Sequence, residues 1–375
     1  MKIVFTFLLI VFPLVMSQSQ ESSSSQKPLK LGVVGMTHGH VHQVLKRGKV
    51  GGVIQIVGFV EPNRDLAERL TKQYDYSEDL IYATLEEMVS ATKPEAVSAF
   101  NSTFEHLETV RYCAPKGIHI MVEKPLAVNW KHAKEMIDLA KKHDIQLLTN
   151  YETSWYGSNA KAYDIIHSED KIGPIKRIVF HTGHPGPIEI GCNIEFLDWL
   201  TDPVLNGGGA LTDFGCYGAN LTTWLMKGQE PESVTCITQH LKPEKYPKVD
   251  DDATIILNYP NAEVIIQASW NWPHNIKDME VYGSTGYVFC KNDTEMKVME
   301  NEKEGPKEMK AEPLPSGLDD PLTLLKKIVQ EDYKLDKFDV TSLENNTIVM
   351  KILDAARQSA EQNRTIFWKE FYPTN

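Results

Sequence analysis

Ile118-His119-Ile120-Met121-Val122-Glu123-Lys124-Pro125 decides the fold: a strand-like apolar run stops abruptly at two opposite charges and a proline. Such a run closing a series of β-α units is a strand of a parallel sheet, and open α/β sheets present ligands outside the carboxyl ends of their strands. Working outward, short β-branched runs alternate with amphipathic stretches from Lys30 to Asn150. The predicted strands are Leu31 to Val34, Ile54 to Val60, Ala96 to Phe100, Ile118 to Val122 and Ile145 to Thr149. Between them Thr84 and Glu87 have capping-box spacing, and Asn129 precedes a helix whose Ala133, Met136, Ile137 and Ala140 form one apolar stripe. The expected fold class is α/β, with a doubly wound, Rossmann-type parallel sheet over residues 30–150.

Beyond Asn150 the rhythm changes to longer alternating runs, Ile175 to His181, Ala253 to Tyr259 and Ala262 to Ser269, with Pro260-Asn261 as a hairpin signal. These predict an α+β domain with a large, mostly antiparallel sheet over residues 151–375. The charged stretch Lys297 to Glu312 reads as a solvated hairpin or loop, and helices are expected over Pro321 to Glu331 and Thr341 to Gln362. The faces of that sheet make a homo-oligomer an expectation.

At the amino end, Lys2, the apolar run Ile3 to Val15 and Ser17 have the layout of a secretory signal, residues 1–17, followed by a Ser/Gln-rich linker, residues 18–29. The expectation is an exported protein, periplasmic or secreted, with no membrane anchor, because the apolar run is too short to span a bilayer. A net charge of -12 and a pI near 5.5 argue against nucleic acid as a partner. Five cysteines, none in a C-x-x-C pair, read as small buried hydrophobes.

A second motif, Gly207-Gly208-Gly209-Ala210-Leu211-Thr212-Asp213-Phe214-Gly215-Cys216-Tyr217, sets Asp213 and Tyr217 four residues apart behind glycines. On a helix both face one way. With Lys124 they make a split active site.

Taken with Glu61, Asn101 to His106 and Gly283-Ser284-Thr285-Gly286, these motifs resemble, in order and spacing, the Gfo/Idh/MocA family of nicotinamide-dependent sugar oxidoreductases, from Lys30 to Trp368. The resemblance implies that Lys124, Asp213 and Tyr217 are catalytic. Tyr217 stands where many relatives carry histidine, and a tyrosine occurs there in branches resembling glucose-fructose oxidoreductase and dihydrodiol dehydrogenase; Asn220 stands where many carry aspartate. Cofactor contacts are expected from Gly35, Thr37, His38, Gly39, His40, Glu61, Asn101, His106, Glu123 and Lys124. His184, Trp199 and Asn220 are the substrate-binding candidates. Desolvation is expected to lower the Lys124 pKa, and Lys124 in turn to depress that of Tyr217.

The turn Gly35-Met36-Thr37-His38-Gly39-His40 departs from the dinucleotide fingerprint, with Thr37 and His40 at the second and third glycine positions. Glu61 favours NAD over NADP by accepting ribose hydroxyls and repelling a 2′-phosphate. The alternation of His38, His40 and His42 also allows a metal reading of the amidohydrolase kind. The change of sheet type opposes the barrel such a site needs, so no metal is expected. The expected function is an exported NAD(P)-dependent oxidoreductase acting on a sugar or polyol, its cofactor tightly held. Two alternatives stand beside it, a redox-neutral NAD-dependent glycosidase or lyase and a non-catalytic sugar-binding relative.

Overall fold

A computed structural model describes residues 27–372. The signal-like segment and most of the linker lie outside the described residues. Six strands, β1 (Leu29–Val34), β2 (Ile54–Val60), β3 (Ile81–Tyr82), β4 (Ala96–Ala99), β5 (His119–Glu123) and β6 (Leu147–Asn150), form an all-parallel sheet in the order β3-β2-β1-β4-β5-β6. The order reverses between β1 and β4, the switch point at which doubly wound sheets open a ligand crevice. The helices α1 (Val41–Val50), α2 (Arg64–Gln73), α3 (Leu85–Thr92), α4 (His106–Cys113) and α5 (Trp130–Lys142) cover its two faces. Asn129 caps α5 by accepting the His132 N–H, and the helix buries Ala133, Met136, Ile137 and Ala140. Thr84 Oγ1 accepts the Glu87 N–H, while the Glu87 carboxylate reaches past the cap to the Ala83 N–H. β3 is two residues long, too short to show any periodicity.

The second sheet contains β7 (Ile175–Gly183), β8 (Ser233–Gln239), β9 (Asp252–Asn258), β10 (Glu263–Ser269), β11 (Ile276–Gly283), β12 (Tyr287–Cys290), β13 (Glu295–Met299), β14 (Lys307–Lys310) and β15 (Ile366–Phe367). Its order is β14-β13-β12-β11-β7-β10-β9-β8-β15, antiparallel except for the pair β7–β10. The Pro260-Asn261 turn joins β9 to β10, closed by Tyr259 N–H donating to the Ala262 carbonyl. The charged stretch is the β13–β14 hairpin at the sheet edge.

Five longer helices follow the parallel sheet in the chain, α6 (Gly157–Tyr163), α7 (Ile194–Leu200), α8 (Ala210–Leu225), α9 (Pro321–Gln330) and α10 (Leu343–Gln362). Three of them, α6, α8 and α10, pack on this second sheet. α8 is buried on nearly every side, wedged between the sheet and α10. α9 packs Leu322, Leu325 and Ile328 into the core of the parallel sheet, although it lies late in the chain. No helix of the described residues is long and apolar enough to cross a membrane.

Candidate active site

β1 runs into Gly35, where φ is +76° and an added Cβ would come within 2.4 Å of the Asn101 amide nitrogen. Only glycine fits there. The turn then satisfies most of its amides internally. Met36 N–H donates to Glu61 Oε2 (2.6 Å), His38 N–H to the Phe100 carbonyl (3.0 Å) and His40 N–H to His38 Nδ1 (3.1 Å). The first amides of α1, those of Val41, His42 and Gln43, bond the carbonyls of His38, Gly39 and His40. That leaves the N–H groups of Thr37 and Gly39 without partners among the described residues, two donors at a helix start where a phosphate is well placed.

On one side of this turn lies a groove of about 740 Å³, lined by Gly35, Thr37, Glu61, Asn101 and Trp199. Asn101 Oδ1 is buried with no partner, an acceptor that a nucleoside hydroxyl can satisfy. The Glu61 carboxylate caps the turn, taking the Met36 N–H on one oxygen and the Asn63 N–H on the other. Burial raises its pKa. A dinucleotide therefore fits: a glycine cradle, two free amides, an unpartnered acceptor and an acidic residue at the end of β2.

Four candidates fall elsewhere, among them Glu123, expected at the cofactor but buried against His40 and Asn150 and lining neither cavity of the site. Trp199, expected in the substrate pocket, lines the nucleotide groove instead and donates from Nε1 to Thr37 Oγ1 (3.0 Å), because α7 crosses over the turn. His106, expected at the cofactor, is buried with Nδ1 against the Leu126 carbonyl and lines neither cavity of the site. Asn220 is fully buried and donates to the Val340 carbonyl (2.7 Å). It sits two turns along α8 from Asp213, roughly 10 Å at the helical rise, too deep to touch a substrate.

On the other side of the turn is a pocket of about 590 Å³, lined by His38, Gly39, His40, Lys124, His184, Asp213 and Tyr217. Here the two motifs meet. Lys124 leaves the end of β5 at a cis Lys124–Pro125 bond. The Asp250 carboxylate holds the start of α8, accepting the Gly209 and Leu211 N–H groups (2.9 and 2.7 Å). A Cβ on Gly209 would lie 1.8 Å from the Asp250 carbonyl oxygen, so the glycines exist to let this loop close on the helix. α8 then projects Asp213 and Tyr217 into the pocket. Lys124 Nζ bonds Asp213 Oδ1 and its carbonyl, and Asp213 Oδ2 accepts from Trp270 Nε1 (2.9 Å).

A second ion pair, Lys277 with Glu152 (2.9 Å), faces the first. The two ammonium groups lie 5.2 and 5.6 Å from the centre of the Tyr217 ring. The Tyr217 hydroxyl makes no hydrogen bond among the described residues and is open to the pocket. Electrostatics correct two expectations. Burial alone would lower the Lys124 pKa, but Asp213 outweighs it and holds the ammonium above its ordinary value. Tyr217 is pushed well above the ordinary phenol value, first by burial and then by Glu152. Lys124 is thus a fixed cation and Tyr217 a neutral hydroxyl. Burial lowers the His184 pKa, and its Nδ1 accepts the Gly186 N–H (2.9 Å), so its Nε2 carries the proton and donates into the pocket.

Of the three alternating histidines, His42 turns away to the Tyr74 hydroxyl (2.8 Å). Potential ligand atoms of His38, His40 and Glu123 lie within 4.8 Å of one another. His38 Nδ1 already accepts the His40 N–H, which puts the ring proton on Nε2 and leaves His38 no free lone pair for an ion. Burial holds its pKa down to about 3.

Lys277, Trp270, His274 and Asp250 were not singled out in the sequence. Trp270-Asn271-Trp272-Pro273-His274 directly after a strand, aromatic and polar together, is the signal that could have found two of them, Trp270 and His274.

Residues 29–151 match the model of the oxidoreductase family, NAD-binding Rossmann fold, and residues 160–289 match the GFO/IDH/MocA C-terminal domain. Trans-1,2-dihydrobenzene-1,2-diol dehydrogenase of Xenopus laevis is 30% identical over 164 residues, 44% of this chain and 46% of that protein. The match thus spans about half the length of that relative. Myo-inositol 2-dehydrogenase of Thermotoga maritima is 23% identical over 288 residues, 74% of this chain and 79% of that protein. In structure, the aldose-aldose oxidoreductase of Caulobacter crescentus superposes with a TM-score of 0.74 at 19% identity, covering 91% of this chain and all of that one. The two domain matches, in the order and at the places where the parallel sheet, the Lys124 strand end and α8 stand, make this chain a member of the Gfo/Idh/MocA oxidoreductase family.

Proposed function

We propose that this protein is an NAD-dependent oxidoreductase that interconverts a hydroxyl and a carbonyl on a sugar or polyol. The carrying observation is the Tyr217 hydroxyl, unpartnered and flanked by two lysines in a pocket that adjoins the nucleotide groove across the glycine turn. When bound, the nicotinamide supplies the hydride acceptor or donor. Tyr217 passes the proton of the substrate hydroxyl, and its high pKa makes donation to a carbonyl oxygen the favoured direction at neutral pH. Lys124, fixed by Asp213, stabilises negative charge building on that oxygen. His184 Nε2 and the Lys277–Glu152 pair orient further hydroxyls. Glu61 at the end of β2 supports NAD over NADP by charge.

A held cofactor is supported by the segment that crosses the turn. Trp199 bonds Thr37, Arg69 pairs with Glu195 (2.6 Å), and Phe104 N–H donates to the Leu205 carbonyl (2.9 Å), so α7 straps the groove from above. Such retention suits export through the signal-like residues 1–17, because a freely exchanging NAD pool is not expected outside the cytoplasm. It also suits a redox-neutral course in which one substrate is oxidised and reduced again within a turnover.

The test is to denature the purified protein and measure released nucleotide by mass, with NAD⁺ and NADP⁺ titrated onto the stripped chain. Stoichiometric NAD(H) is the expected result. A protein that releases none and binds neither nucleotide refutes hydride transfer and leaves the sugar-binding alternative.

A further inference from the structure

The glycine turn places an imidazole where the dinucleotide fingerprint has its third glycine, and that ring is wired as an acid–base group. His40 Nδ1 lies 2.9 Å from Glu123 Oε2. The other Glu123 oxygen accepts from Asn150 Nδ2 (2.7 Å), and Asn150 Oδ1 accepts from Trp155 Nε1 (2.9 Å), so the carboxylate is fixed by a chain of bonds reaching the second domain. Glu123 is buried, yet pairing with His40 overrides the cost of burial and keeps it ionised, with a pKa of about 2. An ionised carboxylate only accepts. Nδ1 therefore carries the proton of the neutral ring, and the Nε2 lone pair is left without a partner among the described residues, on a side chain 27% exposed in the wall of the Lys124–Tyr217 pocket.

We propose that His40, oriented by Glu123, is a second proton-transfer group of this pocket, one that enolises a keto sugar at the carbon beside its carbonyl. The proposal rests on the sugar-pocket reading but needs no nicotinamide. In the step, the C–H bond next to the carbonyl breaks and its proton passes to His40 Nε2. The C–H electron pair forms the enolate C=C, and the carbonyl π pair moves to oxygen, where the Tyr217 hydroxyl and the Lys124 ammonium stabilise it. Return of the proton reverses the step, and no oxidant is consumed. The groups facing His40 are Glu123 and Lys124 at the end of β5, Glu152 after β6, and His38 in its own turn. Glu123 sets the balance and holds the imidazole pKa above its ordinary value, although burial works against it. The enolate is the species from which a neighbouring glycosidic oxygen can leave, so the same group would serve a redox-neutral lyase.

The experiment is deuterium exchange from D₂O into a methyl keto-glucopyranoside, followed by NMR across a pH series with the full-length protein. The expected result is exchange well above the buffer rate, rising with pH through one ionisation. His40→Gln should lose at least about a hundred-fold, the low end of what a positioned base supplies. Glu123→Gln should move the midpoint to lower pH, because the charge that raises His40 is gone. His42→Gln, which alters a histidine bound to Tyr74 outside the pocket, should exchange as wild type does. Ring ¹⁵N spectra of the wild-type protein give an answer independent of how the variants fold, the expected tautomer having Nδ1 protonated and Nε2 bare. Exchange at the buffer rate, exchange that survives His40→Gln, or a neutral ring protonated on Nε2 each overturns the proposal. Absence of NAD(H) binding would strike the hydride-transfer reading and leave this test intact.

Discussion

Replacing Asp213 by asparagine tests the centre of the site. The substitution keeps size and one neutral acceptor but removes the charge that faces Lys124 Nζ and the oxygen that accepts from Trp270. Lys124 is then a buried cation with only neutral partners, the retained side-chain oxygen and the carbonyl of residue 213, the latter at 2.9 Å. Breaking one side of a buried ion pair costs about 3–5 kcal/mol, and the retained amide places this change at the lower end. At about 2–4 °C per kcal/mol, a loss of about 3 kcal/mol lowers the melting temperature by roughly 6–12 °C. Both partners have shifted pKa values, so the effect depends on pH. Asp213 sits below the ordinary carboxylate value, burial opposing the charge while Lys124 and then His184 favour it. Its contribution is present above the unfolded value of about 3.9 and is lost as pH falls through the folded value. Lys124 is raised, so its contribution is complete below about 10.4 and is lost as pH rises through its folded value. The difference in melting temperature between wild type and Asp213→Asn should therefore be widest from about pH 4 to pH 10 and narrow at both ends. Scanning calorimetry over a pH series measures it. Catalysis should fall by about 10²–10³ in kcat/KM, because the cation aimed at the developing oxyanion is no longer held. A melting temperature at neutral pH within about 1 °C of wild type would show that the pair contributes nothing, and the reasoning would fail.

Other substitutions separate the cofactor turn, the chemistry and the packing. Gly35→Ala puts a side chain at φ +76° against the Asn101 backbone and should cost about 1–3 kcal/mol with NAD⁺ binding lost by titration. Tyr217→Phe should lower kcat by about 10²–10⁴ while the melting temperature holds, since the hydroxyl has no protein partner among the described residues. Asn220→Ala removes the donor to the Val340 carbonyl and should destabilise by about 1–3 kcal/mol in denaturant unfolding with KM unchanged. Glu123→Gln should lower thermal stability most between about pH 4.3 and pH 6.5, the window in which both members of the His40–Glu123 pair are charged also in the unfolded-state reference. Below it the Glu123 contribution fades as pH falls toward its folded pKa of about 2, and above it the His40 contribution is lost as pH rises through its raised pKa. A melting-temperature series on both proteins checks the sign.

What the sequence revealed and what it hid divide along physical lines. Five of the six parallel strands were legible because burial on both faces demands short, mostly apolar runs, and α5 because its cap and stripe are local in the chain. β3 was missed because two residues carry no period. The structure brings Lys124, Asp213 and Tyr217 into one pocket, as two local signals imply: a strand end for Lys124, and i, i+4 spacing on one helix for Asp213 and Tyr217. Asn220, expected at the substrate from the family resemblance, shares a helical face with Asp213 but lies too far along the axis to reach the pocket. Trp199 was assigned to the wrong side of the turn because nothing local says which way a connecting helix will cross. The pKa expectations failed for a related reason. Lys124 alone in an apolar pocket would be depressed, but a partner 89 residues away in sequence reverses the sign. His40 is the most telling case. As a departure from the glycine fingerprint it weakened the nucleotide reading, yet the fold seats it against Glu123 and leaves Thr37 and Gly39 to offer the free amides. A deviation at a motif position can thus keep the motif's work on neighbouring backbone while the new side chain takes up chemistry of its own.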